Sequence, residues 1–594
     1  MVLTCQSAPI RDLPYCDYQL DPASRALDLA QRLNVTELAT VLQTGTTGAS
    51  WNMGVPRLGV PPLRYVECNH GIAFGHEEEH LNSTLFPASI STARAFSVEL
   101  VRAVGRAIAY EVRANFNANI SNSFPWCYAP VVNVCRDPRW GRCQEGWGED
   151  PNMNGLLGGR YVQALQTGED PRGVMQVAAT CKHFDAHTGP EDHHNTPWSW
   201  GPGPEWRGYF NSNVSYRDQV ETFYPAFEAC VRAGAAAVMC SYNAVNGTPS
   251  CANRGLLQGT LRDEWGFKGV VVSDCGAINN IRDKQYYANT TAAAVSDAIS
   301  AGVDMNCGSA YGLLVNLTAN GTVPIGRLRE AAARALEVYV KVGVLDPPEL
   351  VSYNLINKSV IPKHDDLARN ASREAIVLLQ NRDGALPLDV SRPRSVLLLG
   401  PCADEPRCGQ GDYHGNLDQQ PVVTLATGLR AALVPHQWSL TVIPGCDDLL
   451  CSSTAGFEAA ADAAAAADLV IFAGGNTDQV ESEGVDRPSL QLPGWQPELL
   501  AAAAGAIKNI SRSLVVVAQH GASLVLPPAA RDAAAVLSLG YGGKHAGSAF
   551  ADVMTGAYSP SGRLVDTWYQ HTWDLPKIDN YDMRAGNGRT CESI

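Results

Sequence analysis

The stretch Gly269-Val270-Val271-Val272-Ser273-Asp274-Cys275-Gly276 is an apolar run that stops on a carboxylate. A strand apolar along its whole length is buried on both faces, as in a parallel sheet. A carboxylate at its end must then face an open rim or lie buried and unpaired, which is costly. Similar runs flank it at Ala129–Val134, Val177–Cys181, Ala235–Cys240 and Ala301–Met305. Between them Val101–Phe116, Asn154–Gln166, Arg217–Ala233, Thr290–Ile299 and Arg327–Lys341 carry apolar residues at helical spacing. This alternation predicts an N-terminal (β/α)8 barrel over 21–345, preceded by an arm at 1–20. The runs end in Glu67 and His70, Arg136 and Asp137, Lys182 and His183, Tyr242 and Asn243, Asp274, and Asp304. In such a barrel these ends converge on one face and form a pocket.

The segment 346–366, with two adjacent prolines and no strong periodicity, reads as a linker. Beyond it, strands at Ser395–Leu399, Leu440–Val442, Leu469–Ala473 and Leu514–Ala518 alternate with helices near Ala459–Ala467 and Pro497–Lys508. That spacing predicts an open three-layered α/β sandwich over 367–575. Its early loops lack G-x-G-x-x-G, which argues against a dinucleotide cofactor.

A net charge of −15 argues against nucleic acid as a partner, and no apolar run is long enough to span a membrane. Seventeen cysteines without paired C-x-x-C spacing, together with eleven N-x-[ST] sequons, favour an oxidising secretory route and an extracellular or cell-wall location. Met1–Ile10 contains no signal peptide. Four histidines at 183, 187, 193 and 194 invite a zinc reading, but their spacing matches no H-E-x-x-H pattern.

The polar loop Asp478–Arg487 holds Glu481 and Glu483. It reads either as a solvated surface or as a second carboxylate source facing Asp274 across a cleft. Two such carboxylates are what glycosidic cleavage needs, one to attack the anomeric carbon and one to protonate the leaving oxygen. The period-2 spacing of Glu481 and Glu483 points both the same way in an extended loop.

Seven segments, in order, make the chain resemble glycoside hydrolase family 3. They are Glu67-Cys68-Asn69-His70-Gly71, Arg136–Arg142, Gly148–Pro151, Lys182-His183-Phe184, Ser241-Tyr242-Asn243, Ser273-Asp274 and Glu483–Arg487. The resemblance implies Asp274 as nucleophile and a second-domain glutamate as acid/base. The acid/base stands four residues before the motif's Arg, which favours Glu483 over Glu481. It implies Arg142, Lys182 and His183 as binders of sugar hydroxyls, Tyr242 beside the nucleophile, and neither metal nor cofactor. Trp140 and Trp147 read as packing or as a sugar-stacking wall.

Within the family the likeness is to the β-xylosidases. Glu67 stands where the β-glucosidases usually have Asp, and Cys275 where they usually have Trp. The xylosidases carry a cysteine pair placed like Cys275 and Cys307, which implies a disulfide in the space of a hexose C6 hydroxymethyl. The expected function is exo-cleavage of β-D-xylose from xylo-oligosaccharides. Alternatives are β-glucosidase, α-L-arabinofuranosidase, N-acetylglucosaminidase and a non-catalytic carbohydrate-binding relative. After Asn580–Arg584 the family continues into a fibronectin-like β-sandwich, whereas this chain stops at Ile594. Residues 576–594 are therefore expected to be a truncated segment, with that third domain missing.

Overall fold

The computed structural model describes residues 5–45, 52–73, 83–120, 123–191, 206–415, 421–508 and 513–584. The sequons at Asn82 and Asn509, His193, His194 and Cys591 lie outside the described residues.

Strands Trp126–Cys127, Ala178–Phe184, Ala237–Cys240 and Val270–Ser273 form one sheet in which spatial order follows chain order. All are parallel, with Trp126 opposite Ala178, Thr180 opposite Ala237 and Cys240 opposite Ser273. Every residue of these strands is buried, Lys182 and His183 at the end of the second included, as a sheet covered on both faces requires. Single parallel bridges extend the sheet on both sides, from Val66 to Cys127 and from Met305 to Val272, with Asn306 bridged onward to Gln43. Helices Pro151–Gln166 and Tyr224–Arg232, and the π-helical Gly255–Glu264, make the crossovers. The first starts sharply because Asp150 accepts the Met153 N–H and Pro151 occupies the first turn.

Two expected runs are displaced. Ala129–Val134 still meets the second strand, through Thr180 N–H to Ala129 O and Val132 N–H to Lys182 O. Pro130 has no N–H to give, however, and the regular ladder is confined to Trp126–Cys127. Ala301 ends the helix Thr291–Ala301, and of the run Ala301–Met305 only Met305 bridges to a neighbour.

The second sheet orders its strands Ser439–Ile443, Ser395–Leu399, Leu469–Gly475, Leu514–Gln519, Ala535–Ser538 and Val377–Asn381. The first five run parallel and the last is antiparallel. Alternate residues of each strand serve alternate faces. Val396, Leu398, Ile471 and Val515 pack with Leu429 and Phe550 from helices Leu425–Leu433 and Ala546–Thr555. Leu397, Val470, Phe472 and Val516 pack with Ala460, Leu499 and Ala503 from Phe457–Ala466 and Gln496–Ala506. The result is three layers.

Residues 576–581 fold back onto the first sheet's loops. Arg136 donates to the carbonyls of Ile578 and Asn580, and its guanidinium lies 4.0 Å from the Tyr581 ring centroid. Eight disulfides join Cys5–Cys16, Cys68–Cys127, Cys135–Cys143, Cys181–Cys230, Cys240–Cys251, Cys275–Cys307, Cys402–Cys408 and Cys446–Cys451. Among the described residues no helix is long and apolar enough to cross a membrane, and no cluster of side chains is arranged to hold a metal ion.

Candidate active site

At the C-terminal ends of the first sheet lies a cavity of about 250 Å³. Asp274, the residue after the strand Val270–Ser273, lines it together with Glu67, Arg142, Lys182, His183, Tyr242 and Cys275. From the second domain come Tyr413 and Glu483. The Asp274 Oδ1 accepts the Cys275 N–H at 2.7 Å. Its Oδ2 accepts no hydrogen bond among the described residues and lies 3.8 Å from His183 Nε2. Burial, reinforced by the charge of Glu483, raises the Asp274 carboxyl above its ordinary value, against the cations Arg142, Lys182 and Arg207.

The cavity's charges are tightly paired. Lys182 Nζ donates to Glu67 Oε2 at 2.7 Å. Burial still lifts the Glu67 carboxyl to about 7, Lys182 opposing it. Arg142 forks onto Glu145 at 2.5 and 2.9 Å and donates to His183 Nε2 at 3.1 Å. The proton of that imidazole is then on Nδ1, 3.3 Å from Asn133 Oδ1. Burial and the cationic charges of Arg142 and Lys182 hold His183 well below its ordinary value, so it is neutral.

The two glutamates of the second-domain loop do not point the same way. Ser482 and Val485 exchange backbone hydrogen bonds around a tight turn, with Glu483 and Gly484 at its tip. Gly484 has φ +79°, the left-handed value such turns need at their second central residue. Glu483 therefore projects into the cavity, with its carboxylate 3.3 Å from Arg142 Nη1 and bonded by Arg207 and the Tyr413 hydroxyl. Its own N–H donates to Asp412 Oδ2 at 2.6 Å. Glu481 turns into the second domain, where it accepts from Gly521 N–H, the Tyr541 hydroxyl, Asn476 and Arg487.

This loop is not a solvated surface. Asp486 accepts the N–H groups of Gly141 and Glu191, and the Arg487 N–H donates to Arg139 O at 2.8 Å. At Gly141 a Cβ would stand 1.9 Å from Val485 O, so only glycine lets the two domains approach this closely.

The six strand ends do not all meet. His70 is tied to the carbonyls of Phe86 and Asp412, Asn243 to those of Asp185 and Ala244, and Asp137 to Arg139. Asp304 holds Arg262, Arg327 and Arg334 and accepts the Val271 N–H from within the strand, away from the cavity. Trp140 and Trp147 are packing residues: both are buried, and Trp140 Nε1 donates to Glu191. His187 pairs with Glu191 at 3.2 Å. The aromatic walls are instead Tyr65 and Tyr128, stacked at 3.8 Å, with Tyr242 and Tyr413. Tyr65 donates to Cys275 Sγ at 3.2 Å, so the Cys275–Cys307 bridge backs this wall.

Tyr65, Tyr128, Arg207, Met239 and Tyr413 escaped the sequence reading. Tyr413 follows the glycine-rich Gly409-Gln410-Gly411 after a strand, a signal that could have found it. Arg207, on the short helix Trp206–Tyr209, sits in a Trp/Gly/Pro-rich stretch that carries no periodic signal.

Residues 33–338 match the glycosyl hydrolase family 3 N-terminal domain, and 376–592 match the family 3 C-terminal domain. The chain is 34% identical to beta-xylosidase/alpha-L-arabinofuranosidase 1 of Medicago sativa subsp. varia, over 96% of this chain and 72% of that protein. It is 35% identical to a probable exo-1,4-beta-xylosidase of Aspergillus terreus, over 98% of this chain and 74% of that protein. A family 3 exo-beta-xylosidase solved with a xylobiose aziridine activity-based probe superposes with a TM-score of 0.87. It is 32% identical, and the match covers 99% of this chain and 74% of that one. A b-glucosidase of Erythrobacter marinus superposes at 0.81, with 25% identity over 96% of this chain and 80% of that one. With both family domains matched in order and the cavity built from loops of each, the chain belongs to glycosyl hydrolase family 3.

Proposed function

We propose that the protein is a retaining exo-β-xylosidase that removes single β-D-xylose units from the non-reducing ends of xylo-oligosaccharides. The observation that carries this reading is that Asp274 and Glu483, supplied by different domains, line one cavity of about 250 Å³. Asp274 Oδ2 attacks the anomeric carbon while Glu483 protonates the departing oxygen. Glu483 then takes a proton from the water that hydrolyses the xylosyl ester. Arg142, Lys182 and neutral His183 hold the ring hydroxyls of the terminal sugar. The Glu67–Lys182 pair and the Cys275–Cys307 bridge take the space that a hexose C6 hydroxymethyl needs. The names of the Medicago and Aspergillus relatives support the same substrate class.

The four-stranded sheet, with its parallel bridges at Val66, Met305 and Gln43, supports a TIM-type barrel over 21–345. The linker at 346–366 and the sandwich at 367–575 complete that division. Sixteen bridged cysteines support a secreted, extracellular protein. Exposed sequons, among them Asn34, Asn213, Asn289 and Asn316, support it too.

An α-L-arabinofuranosidase side activity is a second reading, favoured by the Medicago relative's double name. Hydrolysis of p-nitrophenyl β-xyloside, β-glucoside and α-arabinofuranoside, measured side by side, tests the assignment. The β-xyloside is expected to be the best substrate, and a preference for the β-glucoside would overturn it.

A further inference from the structure

The helix Ala277–Asp283 follows the Asp274 strand directly and is succeeded by the turn Lys284-Gln285-Tyr286-Tyr287. Tyr286 is 74% exposed and Tyr287 51%. Tyr286 also has φ +52°, a left-handed conformation that an aromatic side chain rarely adopts. A strained backbone presenting a large apolar ring to solvent costs free energy twice, and such outliers gather where a chain does work. The Tyr286 ring is met by Tyr209, with centroids 6.1 Å apart and planes inclined at 52°.

The chain on either side of these tyrosines is tied to the cavity residues Tyr242 and Arg207. The Gln285 side chain donates to the Tyr242 carbonyl at 2.8 Å, fixing the loop beside a cavity residue. Tyr209 is two residues beyond Arg207, whose guanidinium lies 4.6 Å from the Tyr242 ring centroid and binds the Glu483 carboxylate. Glu483 stands on the side where the leaving oxygen must be protonated. The sugar units that depart with that oxygen therefore leave the cavity beside Arg207. A cavity of about 250 Å³ has room for one sugar ring, so the remaining units must lie on its rim.

We propose that Tyr209 and Tyr286 form an aromatic platform for the leaving-group portion of a xylo-oligosaccharide. The inference rests on the β-xylosidase reading above. A xylopyranose with equatorial hydroxyls shows axial C–H groups on both faces and carries no C6 arm, so either face can lie flat on a tyrosine ring. Successive units of a β-1,4 chain are rotated about the chain axis, and two inclined rings suit two such units.

The test compares Tyr286→Ala and the double variant Tyr209→Ala/Tyr286→Ala with the unaltered protein on xylotriose and on β-xylosyl fluoride, whose leaving group is too small to reach the platform. Inhibition by free xylose reports the terminal-sugar pocket alone, and thermal melting reports folding. For xylotriose, kcat/KM is expected to fall about tenfold, mostly through KM. Turnover of the fluoride and the xylose inhibition constant stay unchanged, and Tyr286→Phe retains the activity of the unaltered protein. Unchanged cleavage of xylotriose by the variants overturns the platform, as does an equal loss on the fluoride. An unaltered protein inactive on every xyloside overturns the β-xylosidase reading itself and the platform with it.

Discussion

Arg207 binds the carboxylate of Glu483 from a helix 276 residues earlier in the chain. The same guanidinium also reaches Glu191, 3.3 Å away. A cation beside a general acid favours its ionised form. Arg207→Gln is therefore expected to move the alkaline limb of the kcat/KM profile to higher pH. Its xylobiose turnover falls on the order of tenfold to a hundredfold as the carboxylate loses its fixed position. A pH profile whose alkaline limb does not move would remove Arg207 from this role.

Asp274→Ala is expected to abolish turnover almost entirely, and a 2-fluoro-xyloside is expected to label Asp274 as its covalent ester, read by mass spectrometry of the digested protein. Glu483→Ala spares activated aryl xylosides far more than xylobiose, because a good leaving group needs little protonation. Label on another residue rejects the nucleophile.

Glu481 lies only two residues away but predicts a different phenotype. Its carboxylate is the buried counter-charge of Arg487, at 3.0 Å. Glu481→Ala leaves that buried guanidinium without its counter-charge, held among the described residues only by the Ala522 and Ser523 carbonyls, and is expected to cost about 3–5 kcal/mol of stability. A lower melting temperature, with the remaining activity equally reduced on activated and natural substrates, separates this from loss of an acid. A variant that melts normally yet fails selectively on xylobiose would reverse the two roles.

Glu67→Asp shortens the side chain that reaches Lys182, and it frees about one methylene of space in the cavity. The ratio of kcat/KM for β-glucoside over β-xyloside is expected to rise by about tenfold or more, the range that a methylene of pocket space provides. An unchanged ratio would leave the exclusion of hexoses to the Cys275–Cys307 bridge.

Burial, with the neighbouring charge of Glu191, raises Asp486 to about 8 from an ordinary 3.8. Between those values the folded protein holds a proton that the unfolded chain releases, so stability falls as pH rises through this window. Glu67 and Asp185, both near 7, act in the same direction. The buried neutral His183 and His520 oppose them, but only below their ordinary 6.5. Melting temperature is therefore expected to fall between about pH 6.5 and pH 8.5, and Asp486→Asn to flatten the slope. A melting temperature that rises over this interval contradicts the assignment.

The sequence made the central strands of both domains legible, since Val270–Ser273 and Leu469–Gly475 are apolar without a break. Val377–Asn381 was hidden because it follows the helix Asp365–Ala375 with only Ile376 between them, with neither Gly nor Pro to mark the boundary. Asp274 stood out as a charge closing an apolar run. The divergence of Glu481 and Glu483 was not legible, because it depends on the turn at Gly484 and on Asp412, brought close from 71 residues away. Asp304 misled because a carboxylate beside an apolar run reads alike whether it faces a pocket or gathers arginines.

The disulfides share an ordering that bears on how the molecule is made. Among the described residues every cysteine is bonded to the next cysteine along the chain, and no bridge encloses or crosses another. The widest, Cys68–Cys127, spans 59 residues. On the secreted reading proposed above, a polypeptide threaded N-terminus first into an oxidising lumen presents each thiol with its native mate as the first one to arrive. Correct connectivity would then follow from the order of emergence, with little disulfide shuffling needed.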